Sequence, residues 1–111
     1  MNEKRRFKRV KITGELEGNI IYRADITIRD ISLGGACFYT EKRLNPGSNC
    51  LMELREKGIS MKVRARVVRA NLSHTNRCGD DIKPVYEIAV EFENLSGQQQ
   101  ELLQKLIETF S

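Results

Sequence analysis

From Ile59 to Leu72 the chain alternates with a period of two, setting Met61, Val63, Ala65 and Val67 against Lys62, Arg64 and Arg66. A helix would scatter these residues around its axis, so the run belongs to a β-strand with one apolar and one cationic face. Such a strand needs a hydrogen-bonding neighbour and a core beneath its apolar side. The fold must therefore be a sheet that shelters one face, and 111 residues are enough for one modest core in one domain.

The neighbours are legible as further short runs. Val10 to Leu16 alternates, and Glu17-Gly18-Asn19 reads as a hairpin turn. Ile20 to Ile31 is expected as one strand, with Tyr22, Ala24, Ile26 and Ile28 at period two. Ala36 to Thr40 follows after a break, then a turn at Leu44-Asn45-Pro46-Gly47 and a strand over Cys50 to Arg55. Glu56-Lys57-Gly58 leads into the long run, Ser73 to Pro84 reads as a flexible polar loop, and Val85 to Phe92 is the last strand. Ser96 and Gln99 have capping-box spacing, and Leu102, Leu103, Leu106, Ile107 and Phe110 recur at helical intervals. The expectation is all-β: a six-stranded antiparallel barrel, which leaves no open edges, with a terminal helix over residues 97–110.

Composition narrows the chemistry. Cys37, Cys50 and Cys78 contain no C-x-x-C pair, and His74 is the single histidine, so neither a disulfide framework nor a zinc site is expected. Cys37 reads as a small buried hydrophobe and His74 as a surface residue. No apolar stretch approaches the ~18 residues of a membrane span, and the charged start lacks a signal-peptide centre, so residence is expected in the cytoplasm without membrane insertion. The net charge of +4 favours anionic partners.

Two motifs carry chemistry. Arg5-Arg6-Phe7-Lys8-Arg9 places arginines at R-x-x-x-R spacing in a basic arm, residues 1–9, expected to be flexible. A guanidinium is planar, permanently charged and able to grip a phosphate with two hydrogen bonds or to stack on a purine. Asp30-Ile31-Ser32-Leu33-Gly34-Gly35 places a carboxylate and a hydroxyl on either side of Ile31, facing away from it. The carboxylate suits the N1–H and amino edge of a guanine, with Ser32 beside it. Gly34 and Gly35 permit positive φ and close approach of a ligand. Equally, D-x-S-x-x-G can be a β-turn whose Asp and Ser bond local amides.

Both motifs, in this order on this strand pattern, resemble the PilZ domain, a bacterial receptor module for cyclic di-GMP, over nearly the whole chain. Arg5 and Arg9 match its R-x-x-x-R, and Asp30, Ser32 and Gly35 match its [D/N]-x-S-x-x-G. The resemblance implies a six-stranded barrel over residues 10–111 with a C-terminal helix. It also implies phosphate and guanine-face contacts from Arg5 and Arg9, a guanine edge read by Asp30 and Ser32, and clearance at Gly35. Arg6, Gly34 and Arg69 are possible additional contacts. Lys4, before the first arginine, is the position that bears on one bound ligand or a stacked pair. Ala89 departs from the glycine frequent in the family's last strand.

The function so implied is a non-catalytic receptor. Cyclic di-GMP would order the arm and pass the second-messenger signal to an effector protein, with a monomer expected and no cofactor. An alternative is an adaptor of the same fold that binds no nucleotide. A single-stranded nucleic-acid binder would want more stacking platforms than 6% aromatic residues without tryptophan provide. An enzyme would need a nucleophile paired with a base, and none is legible.

Overall fold

The computed structural model describes residues 9–12, 17–20, 25–56 and 58–110, of which 17–20 and 25 are described by their backbone. The chain runs β1 (Val10–Lys11), β2 (Glu17–Ile20), β3 (Asp25–Ile31), β4 (Gly35–Thr40), β5 (Asn49–Glu56), β6 (Ile59–Cys78), β7 (Asp81–Glu93) and α1 (Gly97–Thr109). All strand pairings are antiparallel within one sheet. The order is β1-β3-β2-β5-β6-β7-β4, and β3 pairs with β4 as well. The expected Val10–Leu16 run is thus represented by β1, and residues 13–16 lie outside the described residues.

The alternation of β6 is realised as expected. Met61, Val63, Ala65 and Val67 are buried, and Lys62, Arg64 and Arg66 are exposed. They meet Ile26, Ile28 and Ile31 of β3, Phe38 of β4, Met52 and Leu54 of β5, and Ile88 and Val90 of β7 in one core. Helix α1 adds Leu103, Leu106 and Ile107. Its start is fixed twice: the Gln99 amide donates to Ser96 Oγ at 3.1 Å, and the Ser96 amide donates to Gln99 Oε1 at 2.9 Å. The same Gln99 side chain donates from Nε2 to the Lys62 carbonyl at 2.8 Å, which ties the cap to β6.

Three expectations are corrected. Glu17-Gly18-Asn19 is strand, not turn: Gly18 pairs with Ile26 on one side and Leu54 on the other, so two ladders hold a segment with weak strand propensity of its own. The run from Ile20 to Ile31 is divided between β2 and β3, with residues 21–24 outside the described residues. Ser73–Pro84 is not a loop. β6 and β7 continue as a two-stranded ribbon to Cys78↔Asp81, around Gly79-Asp80 with Gly79 at φ 63°. Glycine first in a two-residue turn is a hairpin signal, and the flanks are polar because both faces of a ribbon beyond the core meet water.

Gly35 lies against the backbone of β7 with no room for a side chain. A Cβ there would lie 2.1 Å from the Val90 carbonyl oxygen, a backbone atom that cannot yield without parting β4 from β7. Gly35→Ala is therefore expected to destabilise the fold by about 3 kcal/mol, lowering Tm by about 10–20 °C in a thermal melt. Burial also pushes the thiols of Cys37 and Cys50 above their ordinary range, whereas Cys78 is exposed at the ribbon end. A thiol reagent at pH 8 should thus label Cys78 first, with Cys37 and Cys50 following only on unfolding.

Candidate functional site

The site begins with an irregularity in β3. Ile28 pairs with Phe38 and Asp30 with Cys37, so Arg29 is an extra residue against β4. In a regular strand neighbouring side chains point to opposite faces. Here Ile28 and Ile31 both enter the core with two residues between them, and the bulge leaves Arg29 and Asp30 together on the outer face.

That arrangement makes a charge network. Asp30 is buried, and both of its oxygens are engaged: Arg9 donates from Nη1 to Oδ1 at 2.7 Å, and Arg29 donates from Nε to Oδ2 at 2.9 Å. Arg29 also donates from Nη1 to Glu87 Oε2 at 2.9 Å, reaching β7 from β3. The hydrogen bond to Asp30 holds the Arg29 guanidinium well above the usual arginine range, against the opposing effect of its partial burial. Arg9 Nε is buried and has no hydrogen-bond partner among the described residues.

After Ile31 the chain turns tightly. The Ser32 amide donates to the Gly35 carbonyl at 2.8 Å, and the Gly34 amide donates to Ser32 Oγ at 3.1 Å. Ser32 is buried, so its hydroxyl serves the turn. Positive φ occurs among the described glycines at Gly47, Gly58 and Gly79, so Gly34 and Gly35 are not needed for that backbone freedom. Glycine at 35 is required by the Val90 carbonyl, which leaves no room for a Cβ. The Phe92 amide donates to the Gly34 carbonyl at 3.0 Å, so the turn is stitched to β7.

Register then places a row across four strands: Asp30 of β3, Cys37 of β4, Ala89 of β7 and Arg69 of β6. Directly paired residues share a face, and this is the face opposite the core. Cys37 and Ala89 are buried yet lie outside the core cluster, forming a floor of small side chains between a carboxylate and a guanidinium. With strands ~4.8 Å apart, three spacings separate Asp30 from Arg69 by roughly 14 Å. The next row along the same face carries Tyr39 and Glu87, and Tyr39 meets the exposed His74 edge-on with ring centroids 6.3 Å apart.

The structure thus brings together Arg9, Asp30 and, across the floor, Arg69, with Ser32, Gly34 and Gly35 in the adjoining turn. Arg5 and Arg6, like Lys4, lie outside the described residues. Arg29 and Glu87 belong to the site and were not foreseen. The signal for Arg29 was available: the Ile28-Arg29-Asp30-Ile31 sequence breaks period two with a pair of polar residues. Nothing local marks Glu87, which is 58 residues from its partner. Among the described residues no group of three or more His, Cys, Asp or Glu could hold a metal ion. No helix among them is long and apolar enough to cross a membrane.

Comparison with known proteins bears on this geometry. Structures that resemble this one include the PilZ domain with c-di-GMP of YcgR from Escherichia coli, at TM-score 0.73 and 16% identity, covering 97% of this chain and 92% of that one. Bacillus subtilis Inhibitor of motility (MotI/DgrA) matches at TM-score 0.69 and 16% identity, over 97% of this chain and 51% of that one. The K. pneumonia MrkH–c-di-GMP complex matches at TM-score 0.67 and 17% identity, over 96% and 52%. The chain therefore spans an isolated domain of this kind but about half of the longer chains. Identities this low speak for the fold alone. No curated protein sequence matches significantly. The PilZ domain family matches by sequence over residues 3–109, which takes in the basic arm, the β3 bulge, the turn and the helix, and the chain belongs to that family.

Proposed function

We propose that this protein is a receptor for cyclic di-GMP that passes second-messenger level to a partner protein, without catalysis. The observation that carries the reading is Asp30: a buried carboxylate at the edge of a small-residue floor, framed by arginines. Two acceptor oxygens held in one plane suit the paired donors of a guanine edge. Arg9, Arg69 and the N-terminal Arg5 and Arg6 would supply the charge for phosphates and the planes for stacking. Arg9 Nε, which has no partner among the described residues, supports the same reading, because a buried donor left unbonded costs about 1–3 kcal/mol that an anionic ligand could return. YcgR and MrkH, which share the fold, have been solved with this nucleotide.

The fold reading that accompanies this is the six-stranded barrel over residues 10–111, preceded by a ligand-binding arm at 1–9. It is supported by the pairings themselves, which pass from β3 through β2, β5, β6, β7 and β4 and return to β3. Ser32 and Gly35 would act through the turn, holding Asp30 in place. Ligand would close the arm over the floor and alter a surface presented to the effector. Two features suit that transmission. Leu33, in the same turn, lines a groove of about 590 Å³ with Gln100, Glu101, Gln104 and Lys105 of α1. The ribbon also carries exposed Leu72 and Ile82, apolar groups that a partner could cover. We place the protein in the cytoplasm, where the nucleotide would be.

A nucleic-acid interface on β6 is disfavoured by register. Lys62 pairs with Glu53, Arg64 with Glu93 and Arg66 with Glu91, so acids from both neighbours interrupt the cationic stripe. Calorimetric titration is expected to give saturable binding of cyclic di-GMP, with no heat from GTP. Arg9→Ala should lower the affinity about tenfold or more, since a charged hydrogen bond contributes ~1.5–3 kcal/mol. If the nucleotide gives no heat and leaves Tm unchanged, the protein is instead an adaptor that does not bind it.

A further inference from the structure

We infer that Arg29, anchored by Glu87, sets the base selectivity of this site by fixing the plane of the Asp30 carboxylate. The inference rests on the reading of the site as a guanine receptor. A carboxylate turns easily about its terminal torsion, which has broad and shallow preferences. Arg9 holds one oxygen, and a single bond is a pivot. The second bond, from Arg29 Nε to the other oxygen, removes the rotation.

Arg29 can do this because of two features outside the family motif. The bulge turns its side chain to the face of its own neighbour, which a regular strand forbids. Its side chain is 39% exposed and would otherwise wander in solvent, but Nη1 is pinned to Glu87 at 2.9 Å. The two acids are bridged by different N–H groups of one rigid plane. Lysine keeps the charge but offers no such fork. Each Asp30 oxygen retains a lone pair, so the bridge presents two acceptors at fixed spacing while its own charge is neutralised. Guanine offers two donors to such a pair, hypoxanthine offers one, and adenine sets an acceptor against it.

The test compares cyclic di-GMP with cyclic di-IMP, which lacks the exocyclic amine, by calorimetry on the wild type, Arg29→Lys and Glu87→Gln, with melts of each protein free of ligand. The wild type is expected to prefer cyclic di-GMP by about tenfold, the worth of one charged hydrogen bond. In both variants the preference should fall to about twofold while Tm stays within a few degrees of wild type. Equal weakening of both ligands would overturn the inference, leaving Arg29 as a charge for phosphates. Unchanged selectivity in both variants would overturn it as well. Should Arg29→Lys fail to fold, Glu87→Gln tests the same bridge from its other end. A wild type that binds neither ligand sinks the receptor reading itself, a result distinct from loss of selectivity in the variants.

Discussion

Ile28 and Ile31 both have to reach the core from one strand, although they are an odd number of residues apart. A regular strand cannot do that, because its side chains alternate. The extra residue that resolves the conflict is Arg29, and the rest of the site follows from it. With Arg29 and Asp30 on the same side, the carboxylate acquires a second arginine, that arginine reaches β7, and β3 is tied electrically to a strand it does not pair with. A core-packing requirement has thus shaped the polar face on the other side of the sheet.

The two halves of the D-x-S-x-x-G motif have different duties in this fold. Asp30 faces outward and gathers charge, whereas Ser32 and Gly35 hold the turn and the close contact with β7. The distinction matters for interpreting variants. Loss of Asp30 leaves Arg9 and Arg29 without their shared acceptor. A side chain at Gly35 forces β4 and β7 apart. Family membership does not separate these roles, and the hydrogen bonds and the Val90 carbonyl do.

Much of the architecture was legible because it is governed by short-range rules. The period-two run of β6 announced its buried face, and Ser96 and Gln99 announced the start of α1, because a cap is made within one turn. The Ser73–Pro84 ribbon has the polarity of a loop, yet a hairpin outside the core needs only its ladder and a suitable turn. Glu17–Asn19 misled for the opposite reason: turn-forming residues were held in a strand by partners on both edges.

By itself the sequence determined the class of fold, the helix and which side chains of the two motifs carry charge and hydrogen-bonding groups. Those depend on local pattern and side-chain chemistry, which the chain states directly. Tertiary structure alone decided that Cys37 and Ala89 form a floor outside the core, that Arg69 lies across it from Asp30, and that Glu87 anchors Arg29. These are matters of register between strands far apart in the chain. A shift of one residue would carry every one of those side chains to the opposite face.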